Sequence, residues 1–200
     1  MAFMDISLPP LSLVIGGARS GKSALAERLV LGSGQAPVYL ATAEARDDEM
    51  VARIAAHRAA REGAGWRIAE APRDVAQVLA SAAPDEVVLL DCATLWLTNA
   101  MLGGGDVAAE EVALLSALSH CPAPVVVVTN EVGLSIVPEN ALARAFRDAQ
   151  GRLNQRLAAQ AGLGVAGWGG VALGVEGALA RGGGRGAFGG GGPGRPMPAR

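Results

Sequence analysis

Lysine is almost absent from this 200-residue chain: Lys22 stands alone against sixteen arginines. Such a bias replaces Lys with Arg wherever either will serve, so the surviving Lys marks a position that needs a compact ammonium rather than a planar guanidinium. Cysteine is scarce too. Cys92 and Cys121 lie far apart and outside any paired motif, which excludes a disulfide framework and a zinc signature and makes a reducing cytoplasm the expected setting. No basic stripe accompanies the net charge of −2, and this argues against a nucleic-acid partner. Gly, Pro or a charge interrupts every apolar run well short of the ~20 residues of a membrane span. Residues 1–10 carry Asp5 and no basic cluster, so they do not read as a signal peptide.

Apolar residues, by contrast, make up half the chain, and the mean hydropathy is +0.31. This length and composition suit one compact domain, or a domain plus a tail. Short apolar runs at 11–15 (LSLVI), 38–42 (VYLAT), 86–91 (EVVLLD) and 124–129 (PVVVVT) read as buried strands, with 66–70 as a further one. Between them, helical spacing covers 22–31, the stretch from Asp47 to Arg61, 73–83, 94–102 and 106–119, and a long helix opens at 138–140. Alternation of this kind predicts an α/β fold with a mostly parallel sheet covered by helices on both faces.

Residues Gly16, Gly17, Ala18, Arg19, Ser20, Gly21, Lys22 and Ser23 complete the pattern G-x-x-x-x-G-K-[ST], after a strand and at the head of a helix. Backbone N–H groups of such a loop surround phosphate oxygens, and the helix dipole assists. Lys22 is expected to reach the β- and γ-phosphates and Ser23 to hold Mg²⁺. Asp91, ending an apolar strand, is the natural second partner for that ion; alone it would read as an ordinary helix-capping carboxylate. His57 shares a helix face with Arg53 and Arg61 and adjoins Arg58. These guanidiniums favour a neutral, nucleophilic imidazole and could clamp a triphosphate. On composition alone, a half-buried histidine near a helix end is the commoner case. His120, before Cys121-Pro122, stays in that ordinary class.

The loop GGARSGKS, the strand closing on Ala41-Thr42-Ala43, the helix DDEMVARIAAHRAAR, DCATLWLTN, TNEVG, VPEN and the run from Phe146 to Asn154 together resemble a known family. It is the bifunctional adenosylcobinamide kinase and adenosylcobinamide-phosphate guanylyltransferase family of cobalamin biosynthesis. The similarity covers about residues 11–160, and the His57 helix and the TNEVG/VPEN pair are its specific parts. The resemblance implies a RecA-like P-loop NTPase fold. It implies phosphorylation of a corrinoid substrate, adenosylcobinamide, by ATP or GTP, then transfer of GMP from GTP through a guanylyl-histidine. The family's nucleophile falls on His57. Its GTP contacts fall on Gly16 to Ser23, Ala41, Thr42, Ala43, Arg58, Ala59, Ala60, Arg61, Glu70 and Asp91. It also implies a homo-oligomer. Asn130 and Glu131 either face the substrate or stabilise their loop.

Beyond residue 160 the character changes. The last forty residues hold 16 of the 28 glycines, a single acid (Glu176) and four Arg. The folded P-loop domain is therefore expected at 1–160, followed by a disordered Gly/Arg/Pro-rich tail at 161–200. Its composition is what a GC-rich gene yields in a shifted frame. Two rival functions remain open: a simple P-loop kinase of a small alcohol, with no use for His57, and a GTP-binding regulatory switch. The lone lysine yields a direct test. Lys22→Ala is expected to abolish turnover of any nucleotide substrate, and Lys22→Arg to fail as well; steady-state rates near wild type for the arginine variant would refute the compositional argument.

Overall fold

A computed structural model describes residues 6–45, 47–59, 61, 63–177 and 180–181, with backbone alone at 49, 53, 57, 176, 180 and 181. In chain order the strands are β1 (Ile6–Ser7), β2 (Leu11–Gly16), β3 (Ala36–Ala41), β4 (Arg67–Glu70), β5 (Glu86–Asp91), β6 (Val125–Asn130), β7 (Leu163–Trp168), β8 (Val171–Glu176) and β9 (Ala180–Arg181). The helices are α1 (Lys22–Gly32), α2 (Asp48–Ala59), α3 (Val75–Ala80), α4 (Ala93–Leu102), α5 (Val107–His120) and α6 (Ala141–Gln160). Every element expected from residues 11–160 is present, with ends within about three residues of the pattern.

Seven strands form one sheet in the order β4-β3-β5-β6-β2-β7-β8, parallel except for the β7–β8 pair; β1 and β9 pair separately. The apolar strands read as near-continuous runs because both faces are covered. On one face, Leu11, Leu13, Val88, Leu90, Val125 and Val127 pack against α3 to α6. On the other, Val14, Tyr39, Leu89, Val126 and Val128 pack against Ala26, Leu29 and Val30 of α1. Helix starts follow local chemistry. Asp106 accepts hydrogen bonds from the Ala108 and Ala109 amides, and Asn140 from those of Leu142 and Ala143, satisfying donors that the first turn leaves open.

The sheet does not stop where the composition changes. β7 pairs with β2 from Ser12↔Leu163 to Gly16↔Gly167, and Leu163 and Val165 are buried. The boundary expected near residue 160 therefore cuts inside the folded unit. Glycines at 164 and 167 hide the signal, yet residues 163, 165 and 167 keep the period of two that turns one side of a strand inward. β8 then closes the sheet as an antiparallel edge with Val171, Leu173 and Val175 exposed. Residues 182–200 of the expected tail lie outside the described residues. Because Leu163 is core, Leu163→Ala should lower unfolding stability by about 2–4 kcal/mol in a urea titration; no loss would mean that β7 contributes nothing to packing.

Candidate functional site

The phosphate loop is shaped by two left-handed residues, Arg19 (φ 54°) and Gly21 (φ 85°), the second capping α1. Its ring is closed by the Ser20 amide on the Gly17 carbonyl (3.3 Å), and α1 begins with the Leu25 amide on the Gly21 carbonyl (3.0 Å). Lys22 folds across the loop and donates from Nζ to the Gly17 carbonyl at 3.1 Å. Gly16 admits no side chain: a Cβ there would lie 2.5 Å from both the Gly167 carbonyl oxygen and the Ser20 hydroxyl. The β7–β8 turn adds a further restraint, with the Gly170 amide donating to the Ser20 carbonyl at 3.0 Å. A segment that composition assigns to a tail thus forms one wall of the loop.

Register assembles the rest. Ala41 pairs with Asp91, Asp91 with Val128, and Asn130 with Gly16. Paired residues of a parallel sheet share a face, and Val14 and Val128 face α1. Asp91, Asn130 and the vacant side of Gly16 consequently look toward α1, where Lys22 and Ser23 begin the helix. One strand, β6, intervenes between the loop strand β2 and the Asp91 strand β5.

Asp91 accepts a hydrogen bond from the Tyr39 hydroxyl at 3.2 Å. Burial, reinforced by the negative charge of Asp91, raises the Tyr39 pKa far above its ordinary value, so the phenol stays a donor throughout the physiological range. Arg61 stacks its guanidinium 3.8 Å from the centre of the Tyr39 ring and pairs with Glu27 of α1. Arg61 is itself buried, so this expected nucleotide contact already has partners in the fold. Arg58 and Glu70, two more expected contacts, meet each other as an ion pair at the surface, joining the last turn of α2 to the end of β4. Ala59 ends α2; Ala60 and the side chain of His57 lie outside the described residues.

Asn99 and the backbone of Cys92, which sequence reasoning did not assign to the site, hold the Ala41-Thr42-Ala43 segment. Asn99 donates from Nδ2 to the Thr42 carbonyl at 2.8 Å and to the Pro72 carbonyl at 3.2 Å. The Thr42 hydroxyl donates to the Cys92 carbonyl and accepts from the Cys92 amide, each at 2.8 Å. The signal was present in DCATLWLTN, where an Asn stands inside a mostly apolar helix. Cys92 itself is no nucleophile, because burial pushes its thiol up to about 11. A cavity of about 540 Å³ bordered by Arg73, Trp96, Glu110 and Leu114 lies on the opposite face of the sheet.

The model of the cobinamide kinase / cobinamide phosphate guanyltransferase family matches residues 12–175. The chain belongs to this family. It is 51% identical over 167 residues to the bifunctional adenosylcobalamin biosynthesis protein CobU of Salmonella typhimurium, covering 74% of this chain and 90% of that protein. The Escherichia coli protein of the same name is 47% identical over 165 residues, and the bifunctional adenosylcobalamin biosynthesis protein CobP of Pseudomonas aeruginosa 48% over 149 residues. These cover 74% and 73% of this chain and 90% and 86% of the relatives, respectively. Among solved structures, a prototypical ATPase of the type III secretion system of pathogenic bacteria superposes with a TM-score of 0.50 at 10% identity, over 82% of this chain and 52% of that one. That likeness concerns fold: a parallel, RecA-like P-loop architecture. As a cobinamide kinase / cobinamide phosphate guanyltransferase family member, the chain uses nucleotide, and no described helix is long and apolar enough to cross a membrane.

The Arg61 arrangement carries a stability prediction. Glu27→Ala leaves a buried guanidinium without its carboxylate and should cost about 2 kcal/mol, with Glu27→Gln costing less. Urea unfolding of the two variants checks the ranking; equal, negligible losses would show that the pair holds nothing.

Proposed function

We propose that this chain catalyses both reactions named for its family, on adenosylcobinamide and its phosphate, from one phosphate loop. The observation that carries the reading is the convergence of the complete loop, Lys22, Ser23 and Asp91 on one face of the sheet, with the His57 helix following the neighbouring strand β3. In the first reaction the substrate hydroxyl oxygen attacks the γ-phosphorus of ATP or GTP. The bond to the bridging oxygen breaks, the nucleoside diphosphate leaves and the hydroxyl proton passes to solvent. Lys22 offsets charge on the β- and γ-phosphates, and backbone N–H groups of the loop and of the start of α1 hold them in line.

In the second reaction a ring nitrogen of His57 attacks the α-phosphorus of GTP and pyrophosphate leaves. The phosphoramidate keeps the GMP activated until an oxygen of the cobinamide phosphate displaces the histidine. Ser23 and Asp91 fit a magnesium ion: one is a hydroxyl in the first turn of α1, the other a half-buried carboxylate oriented by Tyr39. When bound, the ion neutralises phosphate charge during both transfers. Arg58 and Glu70 sit at the end of α2 and β4, where they could receive the GTP once their mutual pair opens. The exposed Leu134, Ile136 and Val137 and the β8 edge support a homo-oligomer, and the two buried or half-buried free cysteines support a cytoplasmic setting.

Incubation with α-labelled GTP should leave an acid-labile GMP label on the protein, mapping to His57. His57→Ala is expected to lose this label and the guanylyl transfer while retaining most phosphorylation of adenosylcobinamide. Loss of both activities in a folded variant, or a label that persists, would overturn the assignment.

A further inference from the structure

Asn130, the last residue of β6, is held by its backbone. Its amide N–H donates to the Thr94 hydroxyl at 2.8 Å, and its carbonyl accepts from Asn154 Nδ2 at 3.0 Å. Behind these two contacts lies a buried cluster. The Thr129 hydroxyl donates to Asn154 Oδ1 at 2.7 Å, and Gln150 Nε2 reaches both Thr129 Oγ1 (3.0 Å) and Asn154 Oδ1 (2.8 Å). Gln150 and Asn154 lie one helical turn apart on α6 and, with Thr129, are buried. The following peptide is tied as well, since the Glu131 amide donates to the Gly16 carbonyl at 3.1 Å. Both peptide planes flanking Asn130 are therefore fixed, the preceding one by α4, the following one by α6 and by the first residue of the phosphate loop.

The side chain receives none of this support. Thr129 points toward α6, so Asn130, one residue on, points to the opposite face, beside Gly16 and toward α1. There its Oδ1 is shielded from solvent with no hydrogen-bond partner among the described residues. An acceptor kept in that state costs stability, and a fold that clamps the backbone on both sides maintains the cost. Glu131 differs: its carboxylate accepts from the Gly133 amide at 2.5 Å and is consumed by the turn. Of the two residues that could face substrate or brace the loop, the structure separates one for each task.

We propose that Asn130 Oδ1 accepts a hydrogen bond from the acceptor alcohol and holds its oxygen in line with the γ-phosphorus during phosphoryl transfer. The inference rests on the kinase reading above and adds the group that positions the nucleophile. Position favours this role: Asn130 pairs with Gly16 at the start of the phosphate loop, on the strand between β2 and β5, two residues beyond Val128, the partner of Asp91. A carboxamide oxygen is too weak a base to take the proton, so it orients the hydroxyl and the proton leaves to solvent as the O–P bond forms. The GMP transfer, which has a histidine and then a phosphate oxygen as nucleophiles, presents no hydroxyl and has no need of this acceptor. Thr94 and Asn154 are positioning residues that act through Asn130.

The test compares wild type with Asn130→Ala, Asn130→Asp and Asn154→Leu. Wild type must phosphorylate adenosylcobinamide; if it does not, the kinase reading falls and this inference with it. Asn130→Ala should lower kcat of phosphorylation about a hundredfold, with KM for the nucleotide and the rate of GMP labelling unchanged. Its unfolding midpoint should match or exceed that of wild type, since a buried unpaired acceptor is removed. Asn130→Asp, isosteric and still an acceptor, should recover part of the rate. Asn154→Leu should slow phosphorylation in wild type but add nothing in the Asn130→Ala background. Equal losses in phosphorylation and labelling, an undiminished kcat, or a lowered unfolding midpoint in Asn130→Ala would each overturn the proposal, the last by making Asn130 a structural residue.

Discussion

At the end of β2 there is no space for a Cβ atom. Gly16 lies against the Gly167 carbonyl and the Ser20 hydroxyl at once, because the loop that follows turns back over its own strand while β7 closes alongside. The left-handed backbone at Gly21 then lets α1 start immediately beneath the loop. The remaining site residues depend on this close approach, since Asp91 and Asn130 gain their orientation from strands registered to β2 directly or through β6. A side chain at Gly16 would displace the loop from every group arranged around it.

Outside the loop, the site is joined to the fold by a line of unlike contacts. Glu27 on α1 pairs with Arg61 beyond α2, Arg61 lies over the Tyr39 ring, and the Tyr39 hydroxyl reaches Asp91. Each link is modest alone, but together they connect the loop helix, the segment after the His57 helix and the Asp91 carboxylate. A second line, from Asn99 to Thr42 to Cys92, fixes the ends of β3 and β5 against each other. Arg58 and Glu70, by contrast, pair with each other at the surface.

How far the sequence could be read depended on the type of signal. The loop, its strand and its helix were legible because one short motif encodes all three. Asp91 was legible as the polar end of an apolar run. Arg61 was legible as a basic residue beside His57, but its burial was not, because pairing with Glu27 requires residues 34 apart to meet. The cluster of Thr94, Thr129, Gln150 and Asn154 was likewise hidden: polar residues on one strand and two helices do not announce their partners. β7 was masked by its glycines, which carry no hydropathy and resemble those of the segment that follows.

The arrangement of β7 also has a consequence for the order in which the protein can be made. The phosphate loop occupies residues 16–23, yet Gly167 and Gly170, which wall it, are made far later than the loop itself. β2 pairs with β6 and β7, so its apolar strand and the loop must wait for most of the chain. At synthesis speeds of about 5–20 residues per second, the delay is on the order of seven to thirty seconds. Until β6 is made, β2 is an apolar strand without its sheet partners on the nascent chain, and the loop lacks its wall until β7 and the turn after it follow.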